Sequence, residues 1–276
     1  MKVNDKLKTV LRIAFIVAVL VTIGMFWYDE IVYYFGEDSV LSEKYPEGSN
    51  VAVIKVYGHI VDYEEYWEDG WVQTSSETVV EYLDEINLND EINAVIVEID
   101  SYGGYPVAGE DICNALKRTE KPTVALIKGG GASAAYMIAV GADRIYASRL
   151  SDVGSIGVTL SYLDNTKKNE KEGITYQELS AGRFKDTGDP DKVLTEEERE
   201  LLMRDVNIVH RIFIEMVAEY RGLGIETVEE LADGSTMMGD DAKAAGLIDE
   251  IGDIEDVKQY LREEFDIEPV LYVYGE

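Results

Sequence analysis

The chain has 276 residues, with 55 acidic against 25 basic side chains, a formal charge of −30 and 46% hydrophobic residues. That balance excludes a nucleic-acid partner, because binding a phosphate backbone needs clustered positive charge and the basic residues here are scattered. Such acidity is compatible with a high-salt habitat, where screening weakens self-repulsion.

The chain opens with Lys2, Lys6, Lys8 and Arg12, then runs from 13 to 28 (IAFIVAVLVTIGMFWY) without a charge. Counted from Val10 the stretch approaches the roughly 20 residues that span a bilayer. Arg12 can snorkel to one interface while Phe26, Trp27 and Tyr28 suit the other. No small-residue cleavage pattern follows, so the segment reads as an uncleaved signal anchor. Asp29 and Glu30 come directly after it. The positive-inside rule therefore predicts a single-pass protein of the cell membrane, with residues 1–12 cytoplasmic and the body on the outer face. Residues 29–50 read as a polar, aromatic-flecked tether, and 51–276 as one domain long enough to bury a core.

Within that domain, strand patterns at 51–57, 94–99, 123–128 and 144–147 alternate with helical patterns at 77–86, 108–117 and 133–141. This alternation predicts an α/β fold with helices layered on sheets. Residues 63–77 (YEEYWEDGWVQTSSE) interrupt the progression and read as a surface loop. Residues 195–221 carry Leu201, Leu202, Val206, Val209, Ile212, Phe213 and Met216 at helical spacing, which predicts a long amphipathic helix packed on the core. Residues 249–264 read as a helix with a solvated acidic face. Cys113, the only cysteine, cannot form an intramolecular disulfide, and in its apolar helical pattern it reads as packing.

The chemistry concentrates in two glycine-rich corners. Residues 122–128 (PTVALIK) end in Gly129-Gly130-Gly131-Ala132-Ser133, and an apolar helix follows. A serine there is either a turn closed by an N-cap or a nucleophile held where unpaired N–H groups favour negative charge. Ile99-Asp100-Ser101-Tyr102-Gly103-Gly104 is a second strand end running into glycines, and two such corners can surround one reacting oxygen. A nucleophilic serine needs a base. His59 falls in a strand and His210 in the long helix, so both read as structural. A lysine can serve instead if desolvation brings its pKa down to about 7–8. By composition alone Lys185 is an exposed loop lysine beside Asp186. No metal-ligand cluster is present, and the glycine run lacks the Gly-Lys-Ser/Thr ending of a phosphate-binding loop, so no cofactor or metal is expected.

At these residues the chain resembles the signal peptide peptidases of the serine–lysine type, in the group sharing the Clp protease and crotonase fold. The resemblance rests on Asp100-Ser101-Tyr102-Gly103-Gly104, Ala132-Ser133, the run 152–158 (DVGSIGV), the run 180–186 (SAGRFKD) and, more weakly, 239–249 (GDDAKAAGLID). It covers about 50 to 261. It implies a spiral of β-β-α units, Ser133 as nucleophile, Lys185 as general base and Ser155 as the residue that positions Lys185. The backbone N–H groups of Gly104 and Ala134 are the expected oxyanion donors. It further implies a membrane-anchored serine endopeptidase for remnant signal peptides or other hydrophobic peptides, acting as a homo-oligomer. The alternatives are an acyl-CoA enzyme of the crotonase fold and a catalytically inactive membrane scaffold. Three departures stand out: Tyr102 where proline is usual, Tyr105 where a third glycine is common, and Ala134-Ala135 in place of a glycine pair. The alanines are expected to narrow the substrate space and alter specificity.

Overall fold

The computed structural model describes residues 46, 48–64 and 72–275. The expected anchor at 13–28 lies outside the described residues, as does most of the tether. Among the described residues no helix is long and apolar enough to cross a membrane. The chain divides into two units, Met1–Ser49 and Asn50–Glu276, and the architecture below is that of the second.

It opens with β1 (Val51–Val61), β2 (Gln73–Ser75) and α1 (Ser76–Leu88), followed by β3 (Ala94–Gly104), α2 (Pro106–Arg118) and β4 (Thr123–Ala132). The short α3 (Ala134–Ala139) leads to β5 (Arg144–Ala147), β6 (Asp152–Gly154) and α4 (Thr166–Glu172). Next come the long α5 (Glu196–Arg221), α6 (Ile225–Leu231), β7 (Thr236–Met238) and α7 (Gly239–Ala244). The chain closes with β8 (Glu250–Ile251), α8 (Ile254–Phe265) and β9 (Leu271–Val273). The central sheet runs β2-β1-β3-β4-β5-β8 with parallel neighbours, and β9 adds to β1. This is the expected mixed α/β architecture.

Helix boundaries follow local chemistry. Ser75 caps α1 by accepting from the Thr78 N–H at 3.3 Å, Pro106 starts α2, and Thr195 with Glu198 forms a capping box at the head of α5. One face of the sheet buries Val51, Val53, Ala94, Ile96, Val124 and Leu126 against Val257 and Leu261 of α8. The acidic stretch expected to be a solvated helix is thus amphipathic, with an apolar seam on the core.

Three strands run past their expected ends, β1 to Val61 and, placing the site, β3 and β4. Hydrophobic patterning predicts breaks at 99 and 128, yet β3 and β4 continue through their glycines to 104 and 132. The glycines serve close approach: a Cβ on Gly104 would lie 2.0 Å from the Ile60 carbonyl oxygen, and one on Gly131 2.6 Å from Ile127 Cδ1. Strand β4 changes partner along its length. Val124 to Ile127 pair with β5, and Gly130 to Ala132 pair with β6. The sheet opens there, and β6 turns away to pair antiparallel with β7.

Two further expectations change. Of the predicted loop 63–77, Gln73–Ser75 forms β2, parallel to β1, and Ser76 begins α1; residues 65–71 lie outside the described residues. The long helix packs the core only through its C-terminal half, where Phe213, Ile214, Met216 and Val217 are buried. Its N-terminal half leaves Met203 and Ile208 exposed, and Ile212 just beyond is exposed too.

Candidate active site

Ser133 stands between the end of β4 and the start of α3. Its backbone has φ 56 and ψ −127, a conformation that L-residues rarely adopt. Such strain, worth about 1–3 kcal/mol, persists only where the surroundings impose it. Here they do: the Ser133 N–H donates to the Gly154 carbonyl at 2.9 Å, and its carbonyl accepts from Met137. Although it occupies the N-cap position, its side chain makes no capping hydrogen bond among the described residues. The hydroxyl is not used to close the helix, which is what the nucleophile reading requires of it.

Ser133 faces a cleft of about 580 Å³ whose lining includes Gly104, Ala134 and Ser155. Four of the five expected site residues are therefore brought together, from three separate chain segments. Gly103 makes the closest approach: with φ +109, its missing Cβ would stand 2.8 Å from Ser133 Cβ and 3.1 Å from the Ala134 nitrogen. The corner is held by Ser101, which is buried, donates to the Gly58 carbonyl at 2.6 Å and accepts from the Gly103 N–H at 3.0 Å. Asp100 Oδ1 accepts from the Gly130 N–H at 3.0 Å and ties the two glycine corners together. Gly103 carries no expected role in the sequence; the paired glycines were its only signal.

Ala134 opens α3, so its N–H is one of the donors that a helix leaves without an internal partner. Of the Ala134-Ala135 pair, Ala134 lines the cleft while Ala135 is fully buried. The Ala134 methyl also meets α2, where a Cβ on Gly109 would lie 3.1 Å from it, so Gly109 leaves room for that methyl.

Ser155 is also in a left-handed conformation, with φ 50. Its N–H donates to the Ser235 carbonyl at 2.8 Å and its hydroxyl to the Gly234 carbonyl at 2.9 Å. With its proton committed, the oxygen presents lone pairs, which suits it to accept from an amine.

Lys185 is not brought in. It lies on an exposed turn, its N–H bonded to the Gly182 carbonyl at 3.2 Å, and is not part of the cleft lining. The neighbouring residue anchors that turn: Asp186 and Glu198 both accept from Lys192, at 2.9 and 2.5 Å. His210 does line the cleft, and its Nε2 is buried with no hydrogen-bond partner among the described residues. His59 stacks edge-on against Tyr105 at 5.6 Å, away from the cleft lining. Cys113 is buried, and burial pushes its thiol up to about 12, as befits packing. Among the described residues no group of His, Cys, Asp and Glu could hold a metal ion.

Comparison with known proteins bears on this geometry. Residues 115–268 match the model of peptidase family S49. The chain is 35% identical over 199 residues to a protein named as a protease in Methanocaldococcus jannaschii, covering 71% of this chain and 64% of that one. It thus spans less than two thirds of that relative's length. It is 30% identical over 237 residues to a protein named as a signal peptide peptidase in Enterococcus faecium, covering 84% of this chain and 69% of the relative. The fold is similar to the solved 1510-N membrane-bound stomatin-specific protease in complex with a substrate peptide. That match has TM-score 0.55 and 15% identity, and covers 84% of this chain and 94% of that one.

Proposed function

The chain belongs to peptidase family S49, and from that premise we propose that it is a serine endopeptidase in which Ser133 is the nucleophile and Lys185 the general base. The observation that carries this reading is the strained, uncapped Ser133 set against the Gly103–Gly104 corner. The Ser133 hydroxyl attacks the scissile carbonyl carbon as the neutral Lys185 amine takes its proton. The N–H groups of Gly104 and Ala134 hold the resulting oxyanion. Collapse breaks the C–N bond, and the leaving amine takes the proton back from Lys185. Water then gives a proton to Lys185 as it attacks the acyl-serine, the ester C–O bond breaks to release the acid, and Lys185 returns the proton to the Ser133 oxygen. Ser155 accepts from the lysine and orients it.

Lys185 must travel to act, carried either by its own turn or by the same turn of a second copy. Exposed apolar side chains on the surrounding surface support a homo-oligomer: Leu163 is 81% exposed, Leu179 98% and Val193 70%. On the same reading the sheet belongs to the Clp- and crotonase-like spiral of β-β-α units. Met137, Met203, Val206 and Phe213 in the cleft wall suit a hydrophobic peptide. The uncharged run at 13–28 supports a membrane anchor that would present the catalytic body to remnant signal peptides on the outer face.

A second reading takes His210 as the base, because His210 lines the cleft that Lys185 does not. Fluorophosphonate labelling of the detergent-solubilised protein, with the adduct located by mass spectrometry, separates these readings. A Ser133 adduct lost in Lys185→Ala and kept in His210→Ala supports the dyad, and the converse supports His210. No adduct in folded protein points to the inactive scaffold.

A further inference from the structure

Tyr102 stands on β3 between the buried Ser101 and the left-handed Gly103, and it lines the same cleft as Ser133. Its ring does not hang free, although 65% of the residue is exposed. The hydroxyl donates to Asp152 Oδ2 at 3.0 Å, across strand β4. Asp152 is the β6 residue paired with Gly130, and its other oxygen accepts from Thr236 on β7 at 3.4 Å. The ring passes over Gly130, where a Cβ would come within 3.1 Å of Tyr102 Cε2 and Cζ. Glycine at 130 is therefore the seat of the ring. The latch joins β3 to β6 over the glycine run that delivers Ser133.

This arrangement leaves a particular surface for a ligand. The polar end of Tyr102 is committed to Asp152, and hydrogen bonding to that carboxylate raises the hydroxyl pKa, so it stays a donor. Asp100, beside it, is engaged by the Gly130 N–H. What the ring can offer the cleft is thus carbon, and it shares the lining with Met137, Val206 and Phe213. We propose that Tyr102, pinned by Asp152, is a specificity-determining residue: a flat aromatic wall that selects peptides with a large apolar side chain close to the carbonyl that Ser133 attacks. This rests on the peptidase reading for the identity of the ligand as a peptide.

The test reads binding apart from turnover. In the Ser133→Ala background, anisotropy measures the affinity of fluorescent peptides that differ only in Leu or Ala at one position at a time. Tyr102→Ala is expected to reduce the Leu-over-Ala affinity ratio by about 10-fold at one position, the scale on which a hydrophobic pocket discriminates. Tyr102→Phe and Asp152→Ala keep the ring but release it, and an intermediate ratio is expected. An unchanged ratio in Tyr102→Ala, with all affinities lowered together, overturns the proposal. So does selection of Lys or Arg at that position, because it would make the ring and its acidic neighbours a cation site. Cleavage of the same peptides by the Ser133 protein is scored separately. Leu selection without cleavage would sink the peptidase reading and leave the wall standing.

Discussion

Gly103 and Ser133 are packed so closely that a methyl group on the first would lie 2.8 Å from the Cβ of the second. Both residues hold positive φ, at 109 and 56. Each corner is shaped by the other, which is why the serine can be held in a conformation its own chain segment disfavours.

Ser133→Gly relieves the strain at φ 56, against a smaller entropic cost of added freedom in the unfolded chain. We expect it to raise stability by about 1 kcal/mol while abolishing turnover. Ser133→Ala, which keeps the Cβ, abolishes turnover without that gain. Gly103→Ala forces both a clash and a disfavoured φ and is expected to cost about 2–4 kcal/mol. Urea unfolding of the three variants checks the order.

A lysine takes the serine's proton only as a neutral amine, so turnover is expected to rise with pH. Lys185→Ala removes activity without unfolding the domain. Ser155→Ala lowers it less completely and shifts the pH profile, because the acceptor that orients the amine is gone. His210→Ala keeps the profile. A rate flat from acid to alkaline pH argues against any lysine base.

The head of α5 carries an acid-sensitive knot. Glu198 is 3% exposed, and the hydrogen bond from Lys192, followed by those from the Thr195 N–H and hydroxyl, holds its carboxyl down at about 2 instead of the ordinary 4.5. A lowered folded-state pKa means stability that is complete above the ordinary value and lost as pH falls toward about 2. Glu198→Gln is therefore expected to be less stable than the parent at neutral pH, with the difference shrinking below pH 4.5. Thermal unfolding across that range measures it. A constant difference contradicts the linkage.

Tyr136, on the helix that follows Ser133, is fully buried and donates to the Leu247 carbonyl at 2.7 Å. It links the serine motif to the run 239–249, whose Asp249 accepts from the Ile145 N–H at 2.7 Å and from Arg221. Tyr136→Phe leaves that carbonyl buried and unpaired, and is expected to cost about 1–3 kcal/mol in denaturant unfolding.

The alternation of the main strands and helices, the two glycine corners and the serine at the head of a helix are legible in the residues. Hydrophobic period and turn chemistry act over a few positions, and a single chain segment carries them whole. The family resemblance is legible for the same reason, as short motifs in a set order. What tertiary structure alone decides depends on segments that meet from far apart in the chain. The glycines of β3 and β4 read locally as breaks, yet they are strand residues, because the Ile60 backbone, the Ser133 Cβ and the side chains of Tyr102 and Ile127 occupy the space a side chain would fill. The unused Ser133 hydroxyl follows from a carbonyl at Gly154, and the ring of Tyr102 is fixed by a carboxylate on another strand. Ala134 lines the cleft and also packs on α2, and only the folded chain shows that Gly109 faces its methyl. Lys185 is the converse case. Its motif is plain in the sequence, but its turn lies outside the cleft beside an ion cluster of Asp186, Lys192 and Glu198, and charges partly withdrawn from water are stable only when paired.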